Sequence, residues 1–188
     1  AACGGGTGTN LADLAAQSPF VDGGPDSSSD ASISGAGGAT VQDPFATAPA
    51  YAQQTGPTTH NPGLSCMSAA CHASSGGTNG APDFFLGGTV YTDYAGKTPA
   101  PGIEIRVTDA QGHATSVYSS PQGTFYVSAA SGQGFAFPVV VGARDGTTVR
   151  PMVTPLGNGL TSCGLQGCHV SGGGPPSGTG NYYPIHLP

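Results

Sequence analysis

The chain carries 188 residues, among them 33 Gly and 17 Pro, with 7% charged side chains and a formal net charge of −6. Charge this sparse, against the roughly 25% of ordinary globular proteins, argues against a helical bundle and for an extended, turn-rich, all-β chain, one small domain with long attached segments. The acidic balance speaks against nucleic acid as a partner, and no apolar run approaches the roughly 18 residues of a membrane-spanning helix.

Residues 1–58 read as a Gly/Ser/Pro-rich extended arm without Lys or Arg. A free chain of this composition is disordered, so order in it would require a bound group or a neighbouring copy to hold it. The start, Ala1-Ala2-Cys3-Gly4, looks like the end of a signal peptide followed by a lipoprotein cysteine, and without an initiating Met or a basic n-region the chain reads as processed and secreted. Two alanines ahead of Cys3 leave three readings open: a lipid anchor to a membrane, an odd thiol for intermolecular pairing, or an incidental cysteine in a disordered terminus. Residues 11–17 suit one or two helical turns. Asp22, Asp26 and Asp30 offer oxygens for a weak Ca²⁺ site, but their spacing is not the alternating EF-hand loop, and a solvated linker is the plainer reading.

The second segment, 59–83, contains Cys66-Met-Ser-Ala-Ala-Cys71-His72, and the fourth, 156–188, repeats it as Cys163-Gly-Leu-Gln-Gly-Cys168-His169. C-x-x-C-H is the signature of covalent c-type haem attachment. Here four residues separate the cysteines, and the chemistry tolerates this, because it needs two thiols for the haem vinyl groups and an adjacent imidazole for the iron. The two copies use four of the five cysteines. The expectation is two covalently bound haem c groups, attached at Cys66, Cys71, Cys163 and Cys168, with His72 and His169 as proximal iron ligands. Residues 64–72 contain no Gly or Pro and predict a short helix presenting both cysteines and His72 to one porphyrin edge.

Between the motifs, over 84–155, the period changes to two. Ile103, Ile105 and Val107 point inward and Glu104 and Arg106 outward, Asp109-Ala-Gln-Gly112 is a hairpin turn, and residues 114–119 return. Further strands are expected at 89–92, 123–127, 135–141 and 147–153. Pro99, Pro101, Pro121, Pro138 and Pro151 fall at strand starts or edges, where a missing N–H costs little. Gly88-Thr-Val-Tyr, Pro101-Gly-Ile-Glu-Ile-Arg-Val and Pro121-Gln-Gly-Thr-Phe-Tyr-Val resemble the carboxypeptidase-regulatory-like (transthyretin-like) family over residues 86–155. That resemblance implies a small Ig-like β-sandwich in a scaffold role without activity of its own. No paired carboxylates, Ser-His arrangement or phosphate loop stands out, and no enzymatic activity is expected.

Three histidines remain for two distal iron positions: His60, His113 and His186. His60 shortly precedes the first motif and His186 follows the second in a Tyr-Tyr-Pro-Ile-His setting, so they are the expected distal ligands. His113 sits at the hairpin tip, where a solvated turn residue is the plainer reading, and is held in reserve. Met67 lies inside the first cysteine loop and Met152 in a strand, neither well placed for iron. Phe84, Phe85, Tyr182 and Tyr183 flank the haem segments as candidates for packing on porphyrin or as ordinary core. Which histidine serves which haem is open: a local pairing, a crossed one, or a ligand from a neighbouring subunit.

The layout of haem site, sandwich and haem site resembles secreted multihaem cytochromes of Gram-negative bacteria, some of which polymerise into conductive extracellular filaments. The resemblance implies an extracellular or cell-surface location, redox-protein partners, and other copies of the chain as partners in a filament. Six-coordinate, bis-histidine iron would carry electrons at a potential below that of Met-ligated cytochromes. Other readings are a structural or adhesive module with disulfides in place of haem, a non-polymeric periplasmic carrier, a zinc site from the same residues, or a dihaem peroxidase needing an open iron.

Overall fold

The computed structural model describes residues 42–57, 61–64, 66–67, 71–72, 81–152, 154–158, 163 and 185–187. Among them are seven strands and no helix: β1 Phe84–Tyr91, β2 Glu104–Asp109, β3 Ala114–Tyr118, β4 Thr124–Ser128, β5 Val139–Arg144, β6 Val149–Pro151 and β7 Ile185–His186. They form two sheets, in the orders β4-β1-β7 and β3-β2-β5-β6. The fold is all-β, as the composition and the two-residue period require.

The alternation in β2 sets the core. Ile105 and Val107 are fully buried and pair with Ala143 and Val141 of β5. Leu86, Val90, Phe125 and Val127 face them from the β1–β4 sheet, all at 2% exposure or less. Burying each such side chain contributes about 1.5–3 kcal/mol before the cost of ordering it. β5 begins at Val139, four residues later than the sequence period suggests. Pro138 has no N–H for the ladder, and Phe135 and Phe137 turn instead onto Phe85, at ring-centroid distances of 5.5 and 5.6 Å. β7 is the strand the sequence reading omits. It is two residues long and runs parallel to β1, with Ile185 beside Val90 and His186 beside Tyr91.

Glu104 and Arg106 face outward from their sheet, as expected, but not into solvent. Residues 42–57 of the arm lie over that face. Arg106 donates from Nε to the Pro44 carbonyl at 2.8 Å, and Arg144 donates to Glu104 at 2.8 Å and to the Pro49 carbonyl at 2.6 Å. The Arg144 guanidinium also stands 4.6 Å from the centroid of the buried Phe45 ring. Gly142 leaves room for Pro44 and Phe45, while Gly56 runs so close to the Tyr118 carbonyl that a β-carbon there would overlap it. The arm was expected to need haem or a neighbouring copy to order it; this part is held by two arginines of its own sandwich.

The hairpin turn falls at Asp109–Gly112, with Gly112 at φ 87°. The Asp109 carboxylate is buried and accepts from the backbone N–H groups of Ala136, His113 and Gln111 and from the His113 ring. Burial alone would raise its pKa, but these donors outweigh it and hold the carboxyl well below the usual carboxylate range. A depressed carboxylate stabilises the fold fully above its unfolded value near about 3.9 and loses that contribution as pH falls further. The thermal midpoint should therefore drop by several degrees on acidification below about pH 4. Asp109→Asn should be less stable at neutral pH and lose less on acidification; equal acid sensitivity in thermal melts of both proteins would contradict this assignment.

The short helix expected over 64–72 is not formed at the described positions. Cys66, Met67, Cys71 and His72 lie in turns, closed by a bond from the His72 N–H to the Cys66 carbonyl at 3.1 Å. A nine-residue helix is marginal in isolation, and docking His72 against β1 competes with it successfully. The helical turns expected over 11–17 lie outside the described residues.

Candidate functional site

Strand β1 carries an adjacent glycine pair, Gly87 and Gly88, whose missing side chains would point to opposite faces. A β-carbon on Gly87 would lie 3.1 Å from Cys66 Cβ and 3.4 Å from its Sγ. One on Gly88 would lie 2.8 Å from Cys163 Cβ and 2.9 Å from the core ring of Phe125. Cys163 also donates its backbone N–H to the Gly87 carbonyl at 3.0 Å. The leading cysteines of the two motifs, 97 positions apart in the chain by their numbers, therefore meet one dipeptide step of one strand.

The first motif is fixed to the outer face of the β1–β4 sheet. Asn61, at φ 53°, and Gly63 turn the chain so that the Gly63 N–H donates to Thr89 Oγ1 at 2.9 Å. Cys66 is a half-buried free thiol 3.9 Å from the Leu64 carbonyl, and burial pushes its pKa up despite a smaller opposing backbone contact. His72 is buried, and its ring lies parallel to Phe84 at 3.8 Å; Phe84 in turn stacks on Tyr126 at 4.2 Å. His72 Nδ1 is 2.7 Å from the Pro82 carbonyl. A carbonyl only accepts, so Nδ1 carries the proton in this contact.

Of the second motif, Cys163 is described, a buried thiol within the core cluster. His186 lies on β7, half-buried, with its ring 3.7 Å from that of Tyr94. Cys163 beside Gly87 and His186 beside Tyr91 lie along the same edge of β1, four residues or roughly 13 Å apart. His72 bonds to Phe84 at the other end of β1, seven residues or roughly 23 Å from Tyr91. His113 is 56% exposed, bound through Nδ1 to Asp109 at 2.9 Å, with Phe135 against its edge. His60, Cys168, His169, Cys3, Tyr182, Tyr183 and the three arm aspartates lie outside the described residues. Among the described residues no three His, Cys, Asp or Glu side chains gather as a ready metal cage.

The donor set at the first motif suits haem at two points and opposes it at one. An imidazole whose far nitrogen donates to a backbone carbonyl is held as metal-bound histidines are, oriented and made more basic. Cys66 supplies a thiol. Cys71 is disulfide-bonded, and a sulfur in that bond is not available for a thioether. Sequence reading singled out the cysteines and His72 and missed Gly87, Gly88, Pro82 and Tyr126. Two glycines inside a strand are a signal of close backbone approach that was there to use. No family model, curated protein or solved structure matches the chain.

Proposed function

We propose that the protein is a secreted dihaem c-type electron carrier, with haem attached at Cys66 and Cys71 and at Cys163 and Cys168. The observation that carries this reading is His72: a buried ring closing a C-x4-C-H motif and oriented through Nδ1 by the Pro82 carbonyl. Haem iron bound at such a site supplies one-electron redox chemistry. The chain's part is to fix the imidazole planes, exclude water with Phe84 and Tyr126, and fill the remaining iron positions with His169 and the distal histidines. The seven-residue separation along β1 favours His186 serving the second motif and His60 the first, because His72 and His186 stand too far apart to share one iron. Assembly of copies into an extracellular filament belongs to the same proposal and is supported by the low charge and the Gly-rich arm.

Intact-mass measurement with a pyridine haemochrome spectrum on protein from a haem-attaching host is expected to give two haems per chain. The reduced protein should then fail to bind CO. A bare polypeptide mass would sink the proposal. That outcome would favour a structural sandwich module with disulfides, the reading to which the Cys71 disulfide belongs.

A further inference from the structure

Residues 42–57 contribute no strand to either sheet, and Phe45 is buried without belonging to the core cluster. The hydrophobic core is therefore complete without the arm. The outer face of the sheet is nevertheless shaped for that segment. Gly142 lies between the core residues Val141 and Ala143 and so faces outward. A β-carbon there would fall 2.6 Å from Pro44 and 2.9 Å from Phe45. Arg106 and Arg144, two of the chain's four cationic side chains, bond the Pro44 and Pro49 carbonyls. The Tyr51 hydroxyl donates to the Gly102 carbonyl at 2.9 Å, and the Gly56 N–H to the Ser119 carbonyl at 3.0 Å. The face is a receptor and the arm its ligand, an extended stretch held by two carbonyls, a proline and a ring.

We infer that this face also takes residues 42–57 of a second copy, so that chains join by exchanging arms. Every contact is made by one continuous segment and is the same whichever chain supplies it. The connection back to the sandwich is short, from Pro57 to Asn61, where φ is 53°. Just beyond it the Gly63 N–H is tied to Thr89 on the other sheet. A short, constrained connection favours exchange between copies over loose release within one. Each copy offers one face and one arm, so the contact is head-to-tail and extends through successive copies unless a pair closes on itself. This gives the proposed assembly its contact and does not depend on haem.

The test mixes two full-length variants and follows their mass by sedimentation. Phe45→Lys spoils the arm, losing the buried ring and placing an ammonium beside the Arg144 guanidinium, and keeps the face. Gly142→Val fills the notch and keeps the arm. Neither closes on itself, so the mixture reads the contact without docking in cis, which acts at an effective concentration of about millimolar. Each variant alone is expected to stay at monomer mass, and the equimolar mixture to form a one-to-one complex of twice that mass. Folded variants that stay monomeric when mixed overturn the inference, as does assembly of either one alone. If Gly142→Val does not fold, a fluorescent peptide of residues 42–57 titrated into the Phe45→Lys chain decides. Saturable one-to-one binding is expected, and no binding overturns the inference. Haem content of the same samples separates the two readings. Pairing without haem leaves arm exchange standing and removes the electron carrier; haem-loaded variants that never pair do the reverse.

Discussion

Arg144→Ala is expected to lower the unfolding free energy by about 3–5 kcal/mol, the cost of leaving one member of a buried ion pair without its partner. Glu104 is 3% exposed and Arg144 8%, so neither charge recovers much hydration when the other is removed. The same substitution removes the bond to the Pro49 carbonyl and the cation over Phe45, two of the contacts that hold residues 42–57 on the sheet. The loss should therefore show in two measurements. Urea denaturation gives the stability change, and a protease cutting after aromatic residues should open the arm at Phe45 or Tyr51 well before the sandwich. The double variant Glu104→Leu/Arg144→Leu should recover part of the stability, because it leaves no unpaired charge, while the arm stays susceptible. A single variant within about 0.5 kcal/mol of the parent, with the arm still protected, would mean that the ion pair is not what secures it.

That arm also marks where sequence reading stops. The β2–β3 hairpin is legible because its information is local: Ile103, Ile105 and Val107 alternate, and Asp109 to Gly112 supplies the turn. Docking of the arm is not legible, because its bonding groups are the carbonyls of Pro44 and Pro49, and every residue has a carbonyl. The partners, Arg106 and Arg144, are 62 and 95 positions away. β1 was seen only from Thr89 onward, since Phe84-Phe-Leu-Gly-Gly88 lacks alternation and its glycines oppose strand propensity; the strand survives because β4 pairs along it from Phe84 to Thr89. The site divides the same way. The motif cysteines and histidines are visible as types and spacings, whereas the convergence on Gly87 and Gly88 is a long-range fact. Even the tautomer of His72 depends on Pro82, whose carbonyl carries no mark in the sequence.

His72→Ala should produce the largest functional change. In the parent, reduced iron at the first motif is expected to be closed on both sides and blind to CO. If the proposed haem is bound there, removing the imidazole would open one position, so the variant should bind about one CO per chain and carry a shifted first midpoint potential, with the second left closer to its parent value. Free imidazole added to the variant should displace CO and restore the parent Soret band, a rescue that a purely structural histidine would not allow. Some stability will also go, because the ring stacks on Phe84 and donates to Pro82; about 2 kcal/mol is expected from losing one aromatic pair and one buried hydrogen bond. Phe84→Leu separates the two effects. It removes the stack with both His72 and Tyr126 while leaving the imidazole, so it should cost comparable stability without CO binding. If His72→Ala keeps the parent's haem spectrum and ignores CO, while losing as much stability as Phe84→Leu, the residue is a packed core histidine and the first iron takes its ligand elsewhere.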